Sequence, residues 1–136
     1  MNDPVVLQSK YLRKSCEIGI VHLGYGAFHR AHQAVYLDKL MEATNDRRWG
    51  IAAVNLRSSE SKAFLAASKA KDGYLVKTIA PNGEQNFRLV RPHLKFIDAT
   101  LQSNEAHALL ALPTVSMVTI TVTESGVVVV NPLPDL

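Results

Sequence analysis

Hydrophobic positions along this chain follow two rhythms that alternate. Ile18-Gly19-Ile20-Val21-His22-Leu23 is a short apolar, β-branched run halted at Gly24, the pattern of a strand buried on both faces. Beyond the turn Gly24-Tyr25-Gly26, residues 29–44 place Ala31, Ala34, Val35, Leu37, Leu40 and Met41 near helical spacing with no internal Gly or Pro, which predicts a helix. The sequence then repeats the pair. Trp49 to Leu56 predicts a second strand, and Ser58 or Ser59 is placed to cap a second helix carrying Ala63, Phe64, Ala66 and Ala67 and ending near Gly73. Met41 and Phe64 fall on the core side of their helices. Residues 74–79 and 85–90 flank Ala80-Pro81-Asn82-Gly83-Glu84, and Asn-Gly between two strand-like runs predicts an antiparallel hairpin. His93 to Asp98 predicts a further strand, 103–112 a helix stopped by Pro113, and Val115 to Thr123 a last strand. Strands alternating with helices dictate a parallel sheet, and these segments supply only part of a doubly wound one.

The chemistry concentrates where the first strand meets the first helix. Glycines at 24 and 26 let the backbone turn tightly and approach a ligand, while the free N–H groups and positive dipole end of the helix can solvate a pyrophosphate. The usual dinucleotide fingerprint has a third glycine where this chain has His29, so strand and helix are expected not to approach as closely there. A dinucleotide site also needs an acid after the second strand to accept hydrogen bonds from the adenosine ribose. Glu60 is the candidate, 34 positions beyond Gly26 against about 20 in the usual case. Glu60 equally suits a carboxylate placed in a helix's first turn for the dipole, and neighbouring Arg57 suits a 2'-phosphate. Arg30 suits either a phosphate or solvent. His22, His29 and His32 do not make a metal set, since one lies in an apolar strand and the others lack a nearby carboxylate. Ser58, Ser59 and Ser61 form no nucleophile elbow, and the chain has no P-loop.

Composition narrows the class. The 136 residues make one domain and exclude a complete enzyme with separate cofactor and substrate domains; 47% hydrophobic and 20% charged residues fit a globular chain. The net charge of +3, from scattered basic residues, argues against a dedicated nucleic-acid surface. Cys16 is the one cysteine, which excludes an internal disulfide and suits a reducing cytoplasm. The N-terminal stretch does not resemble a signal peptide, and the longest apolar runs fall well short of the roughly 20 residues that cross a bilayer. Cytoplasmic residence is the expectation.

Ile20-Val21-His22-Leu23-Gly24-Tyr25-Gly26-Ala27-Phe28-His29-Arg30-Ala31-His32-Gln33-Ala34 closely resembles the opening of the polyol-specific long-chain dehydrogenases, the family of mannitol 2-dehydrogenase, D-arabinitol 4-dehydrogenase and fructuronate (mannonate) reductase. The resemblance continues at Trp49-Gly50-Ile51, at Val54-Asn55-Leu56-Arg57 and at Val118-Thr119-Ile120-Thr121-Val122-Thr123-Glu124-Ser125-Gly126. It implies an α/β fold, a partial Rossmann-like, mostly parallel sheet with flanking helices and a hairpin inserted at about 74–91. In this division residues 1–17 are an extension, 18–126 the NAD-binding domain and 127–136 an irregular tail, with the substrate domain absent. The resemblance implies NAD, with NADP disfavoured, held by Gly24, Tyr25, Gly26, Ala27, Phe28, His29, Arg30, Asn55, Arg57, Glu60, Thr121, Thr123 and Glu124. The family's acidic pair after the second strand falls on Ser59 and Glu60, so one acid is kept. The hairpin is most similar to the D-arabinitol branch. After the glycine matching Gly126 the family has aromatic residues, whereas this chain has Val127 and Val128. The family's catalytic Lys, Asn and His belong to a C-terminal helical domain, so no catalytic role carries over to this chain, and a polyol, ketose or sugar acid is expected as substrate only with that domain. The alternative is a non-catalytic remnant that binds nucleotide weakly or self-associates through exposed apolar surface.

Overall fold

The computed structural model describes residues 5–70 and 72–121. Two of the expected cofactor residues, Thr123 and Glu124, lie outside the described residues, as do the end of the last expected strand and the tail 127–136. The strands are β1 (Val6–Gln8), β2 (Ile18–Leu23), β3 (Gly50–Asn55), β4 (Tyr74–Ile79), β5 (Gln85–Val90), β6 (His93–Asp98) and β7 (Met117–Ile120). The helices are α1 (Ala34–Thr44), α2 (Ser61–Ser68) and α3 (Ser103–Leu110).

Four strands form a parallel sheet in the order β6-β3-β2-β7, with Val21 level with Ala52 on one side and Val118 on the other. β3 is buried at every position because it has a strand on each edge and a packed layer on each face, which explains its unbroken apolar run. Alternation along β2 and β3 sends side chains to both layers. Ile20 and Ile51 pack with Ala34 and Leu37 of α1 and with Val90, while Val21, Ala52, Val54 and Ile97 pack with Ala106 and Leu109 of α3. The chain builds outward from β2 to β3 and β6, then returns to place β7 on the other side of β2. Strand order therefore reverses between β2 and β7, the position where open α/β sheets keep a crevice for ligand. Among the described residues no helix is long and apolar enough to cross a membrane.

The hairpin forms as expected. β4 and β5 pair antiparallel from Tyr74 opposite Val90 to Ile79 opposite Gln85, and Gly83 takes the left-handed conformation (φ +86°) that the Asn-Gly turn requires. Three expectations are corrected. Neither Ser58 nor Ser59 caps α2: the chain makes one tight turn through Ser58–Glu60, with Glu60 at the helix start and no side-chain cap. Asn55 organises this turn instead, donating to the Arg57 carbonyl and accepting from the Arg57 N–H, so no serine cap is needed. α2 stops at Ser68 rather than near Gly73, and β7 begins at Met117 rather than Val115.

The third strand of the hairpin sheet had no signal in the sequence. β1 is only three residues long, too short to show a period, and runs parallel to β5 in the order β1-β5-β4. Its anchor is Asp38, fully buried on α1. Ser9 Oγ and Tyr11 Oη donate to the two carboxylate oxygens, Arg88 Nε lies 3.1 Å from Oδ2, and the Arg91 backbone N–H donates to Oδ1 at 3.3 Å. Burial, with the Asp38 carboxylate beside it, pushes the Tyr11 phenol up, which keeps it a donor. A buried carboxylate is tolerable only with such partners, and removing it strands every donor around it. Asp38→Ala is therefore expected to lose about 3–5 kcal/mol in urea denaturation. A loss under about 1 kcal/mol would show that the network does not hold the strap in place.

Candidate functional site

The turn after β2 is shaped by two glycines with different duties. Gly24 has φ +117°, where L side chains are strained, and its N–H donates to the Val54 carbonyl at 2.7 Å, closing the end of β2 onto β3. Gly26 has an ordinary φ but open space around it: a Cβ added there meets nothing within 4 Å. The helical winding starts at once, with the Arg30 N–H bonded to the Gly26 carbonyl at 3.0 Å. The N–H groups of Ala27, Phe28 and His29 precede that first bond, so helix geometry leaves them without helical acceptors, beside the open face of Gly26.

Two adjoining grooves meet at this turn. One, of about 350 Å3, is lined by Tyr25, Gly26, Arg30, Asn55, Glu60, Ala63, Phe64 and Ala67. The other, of about 330 Å3, runs over the C-terminal ends of β2, β3 and β7, lined by Leu23, Gly24, Tyr25, Gly26, Asn55, Leu56, Arg57, Glu60, Ile120 and Thr121. Tyr25, Gly26, Asn55 and Glu60 belong to both, so the grooves form one trough that crosses the point where strand order reverses. Of the expected cofactor residues, Gly24, Tyr25, Gly26, Arg30, Asn55, Arg57, Glu60 and Thr121 come together along it.

Their side chains do different things. Glu60 and Arg57 are exposed, at the end of β3. Asn55 is buried and its amide is used within the protein, reaching the Arg57 carbonyl at 2.9 Å and Ser61 Oγ at 3.3 Å. It holds the turn that carries Arg57 and Glu60. Tyr25 is half-buried and meets Phe64, Tyr74, His93 and Phe96 edge-on, with ring centroids 5.1–6.2 Å apart. The Arg30 guanidinium lies over the same ring at 5.3 Å, and its buried Nε has no hydrogen-bond partner among the described residues. Ala27 and Phe28 are exposed, and the Phe28 ring leans on His32 at 4.7 Å. His29 differs from all of these. Its ring is fully buried, stacked on His22 at 3.7 Å, so any contact with a ligand in the trough is through its main-chain N–H.

The imidazole of His29 fills the gap that a third glycine would let the helix close, and the first turn is wound wide: the Ala34 N–H bonds to the His29 carbonyl, five residues back. Sequence reasoning missed the partners of this ring, His93 and Gln33, which lie at separations of 64 and 4 residues. It also missed Ser61, Thr100 and Asp98, which are linked by hydrogen bonds behind Asn55. Hydrogen bonds from Ser61 and Thr100 hold the Asp98 carboxyl below its ordinary range. Among the described residues no group of three His, Cys, Asp or Glu is arranged to hold a metal ion.

An open face at Gly26, main-chain donors that helix geometry leaves without helical acceptors and the Arg30 side chain along the trough fit an anionic dinucleotide. The comparisons with known proteins point the same way. The chain is 37% identical over 110 residues to D-arabinitol 4-dehydrogenase of Klebsiella pneumoniae, a match covering 78% of this chain and 23% of that protein. It is 35% identical over 119 residues to D-mannonate oxidoreductase of Escherichia coli (strain K12), covering 81% of this chain and 23% of that one. Its fold superposes on a solved ternary complex of Pseudomonas fluorescens mannitol 2-dehydrogenase with NAD and D-mannitol, with a TM-score of 0.83, 30% identity and coverage of 91% of this chain and 25% of that one. The chain thus spans about a quarter of the length of the relatives it matches. The profile of the mannitol dehydrogenase Rossmann domain matches residues 18–136, including the stretch 127–136 set apart above as a tail. By that match, over most of its length, the chain belongs to the mannitol dehydrogenase Rossmann domain family.

Proposed function

We propose that this chain binds NAD(H) for an oxidoreductase that moves hydride between nicotinamide and a secondary alcohol carbon of a polyol or sugar acid. The observation that carries the reading is the open space above Gly26, faced by the first N–H groups of the helix and set at the strand-order reversal. The diphosphate rests on the amides of Ala27, Phe28 and His29, with Arg30 as its charged neighbour. Glu60 accepts from the adenosine ribose, and the apolar wall of Ala63, Phe64 and Ala67 suits the adenine ring. Thr121 at the end of β7 faces the nicotinamide half, with Thr123 and Glu124 expected beyond it. NAD is preferred over NADP because Glu60 repels a 2'-phosphate, although Arg57 stands close enough to favour one. Bound nicotinamide supplies the hydride acceptor or donor; the chain's own residues bind and orient it. General acid–base groups and the polyol contacts are proposed to lie outside the described residues. The reducing setting implied by Cys16, a free thiol, fits a cytoplasmic enzyme.

A second reading, a non-catalytic domain that self-associates, draws on Met117, Val118 and Ile120 of β7, which are exposed at 45%, 50% and 59% where a parallel strand is normally covered on both faces. Sedimentation across a hundredfold concentration range separates the two: a monomer throughout removes the second.

Calorimetric titration with NADH and NADPH is expected to show binding of both, tighter for NADH; a folded sample that takes up neither would overturn the first reading. Gly26→Val is expected to keep its melting temperature, since the new side chain enters open space, yet to weaken NADH by at least about tenfold, or 1.4 kcal/mol. Unchanged affinity removes the turn from the site. Glu60→Ala is expected to lower the preference for NADH over NADPH by about tenfold, the size of one charge-assisted hydrogen bond; an unchanged ratio places the ribose elsewhere.

A further inference from the structure

Beneath the glycine turn lies a buried group of three imidazoles that cofactor binding itself does not use. His22 comes from β2, His29 from the first turn of the helix and His93 from the start of β6, and all three are buried. The His22 and His29 rings are stacked at 3.7 Å and 8°. His29 Nε2 is 2.8 Å from His93 Nε2, and His29 Nδ1 is 2.7 Å from Gln33 Oε1. Gln33 Nε2 donates to Thr119 Oγ1 at 3.2 Å, and that hydroxyl is 2.7 Å from His22 Nδ1.

The contacts of His29 order the protons around it. An amide oxygen only accepts, so His29 Nδ1 carries the proton; neutral His29 then presents a lone pair at Nε2, and His93 donates to it from its own Nε2. The acceptor left over is His93 Nδ1, which is buried and has no partner among the described residues. Thr119 Oγ1, which accepts from Gln33, keeps a proton and a second lone pair and pairs with His22 Nδ1 in either tautomer of that ring. Every ring is neutral in this arrangement. An added proton on His29 or His93 must sit on the dry Nδ1 of His93 or place two N–H groups face to face between the two rings, and one on His22 puts charge on a buried ring stacked against His29. The charged groups facing the rings offer no relief: Arg13 donates to the His93 carbonyl at 2.6 Å, Arg30 stands over Tyr25, and Arg91 lines the small cavity beside His93. The remaining titratable neighbours, Tyr25 and Tyr74, are phenols whose protons burial holds in place.

We propose that His22, His29 and His93, tied through Gln33 and Thr119, are positioning residues that hold the diphosphate-binding turn in its receptive geometry only while all three rings are neutral. The connection is direct, because His29 is both the hub of the cluster and one of the three residues offering an N–H to the trough. The proposal rests on the dinucleotide reading above for its consequence, though not for its structural content. Burial and neighbouring His29 lower His22 from its ordinary value near 6.5 to about 4; burial lowers His29 and, further, His93. The folded chain thus binds fewer protons than the unfolded one between about pH 4 and 6.5, so the cluster's contribution is full above pH 6.5 and is lost as pH falls through that window.

The test combines imidazole and amide NMR of the full chain from pH 8 to 4.5 with calorimetric NAD affinity over the same range. The expected result is that the three rings keep neutral nitrogen shifts at pH 6. Below that they change together with the amides of Ala27 and Phe28, while Ile97 and Leu109 in the opposite layer stay native. NAD affinity should fall by up to about tenfold per pH unit for each proton taken up. Thr119→Val, which strips both His22 and Gln33 of a partner, should shift the transition to higher pH, and Thr119→Ser should restore it. Rings that titrate near pH 6.5, or that titrate without moving the turn amides, overturn the proposal, as does simultaneous loss of the Ile97 and Leu109 signals. If NAD does not bind at pH 7.5 the dinucleotide reading fails, and the ring and amide titrations in the unmodified chain still decide the cluster's role.

Discussion

The structure depends on how a helix can begin at the end of a buried strand when its first turn must both expose main-chain donors and bury an imidazole. His29 stands where a small residue would let α1 settle onto β2, and its ring is accommodated by stacking on His22 and bonding to His93 and Gln33. That accommodation widens the first turn and fixes where the N–H groups of Ala27 to His29 lie. The two sides of this segment are therefore linked: the inner side is a polar cluster built with residues from β2, β6 and β7, and the outer side is the trough.

The scaffold around the turn follows from the same economy of space. Tyr25, between the two glycines, wedges into an aromatic group formed by Phe64 of α2, Tyr74 of β4 and Phe96 of β6, so the hairpin sheet and the second helix both brace the loop. Tyr74 also donates its hydroxyl to the Arg30 carbonyl at 2.7 Å. The hairpin is in turn tied down by β1 and the Asp38 network, which spans the N-terminal strap, α1 and β5. Parts of the chain that never reach the trough thereby set its rigidity.

What could be read from the sequence was local in origin. β2 and β3 show as apolar runs because strands buried on both faces carry few polar residues; the Asn-Gly hairpin and the stop at Pro113 are short-range backbone effects. The turn was legible because Gly24 and Gly26 punctuate strand and helix, and most of the expected site residues converge on one trough. What stayed hidden depends on distant pairs. His29 finds His93 at a separation of 64 residues, Asp38 finds Ser9, Tyr11, Arg88 and Arg91 at separations of 27 to 53, and β1 is too short to announce itself. Family resemblance marked His29 as a cofactor residue without saying that its ring turns inward.

In the function proposed for this chain, the main-chain donors of Ala27, Phe28 and His29 receive the diphosphate of a nicotinamide dinucleotide. The most direct test of this is a titration of the isotopically labelled chain with NAD at neutral pH, followed through the backbone amide resonances. The three amides are expected to show the largest downfield shifts in the spectrum, the signature of hydrogen bonds to phosphate oxygens. Saturable binding of NAD that leaves those three resonances in place would contradict it.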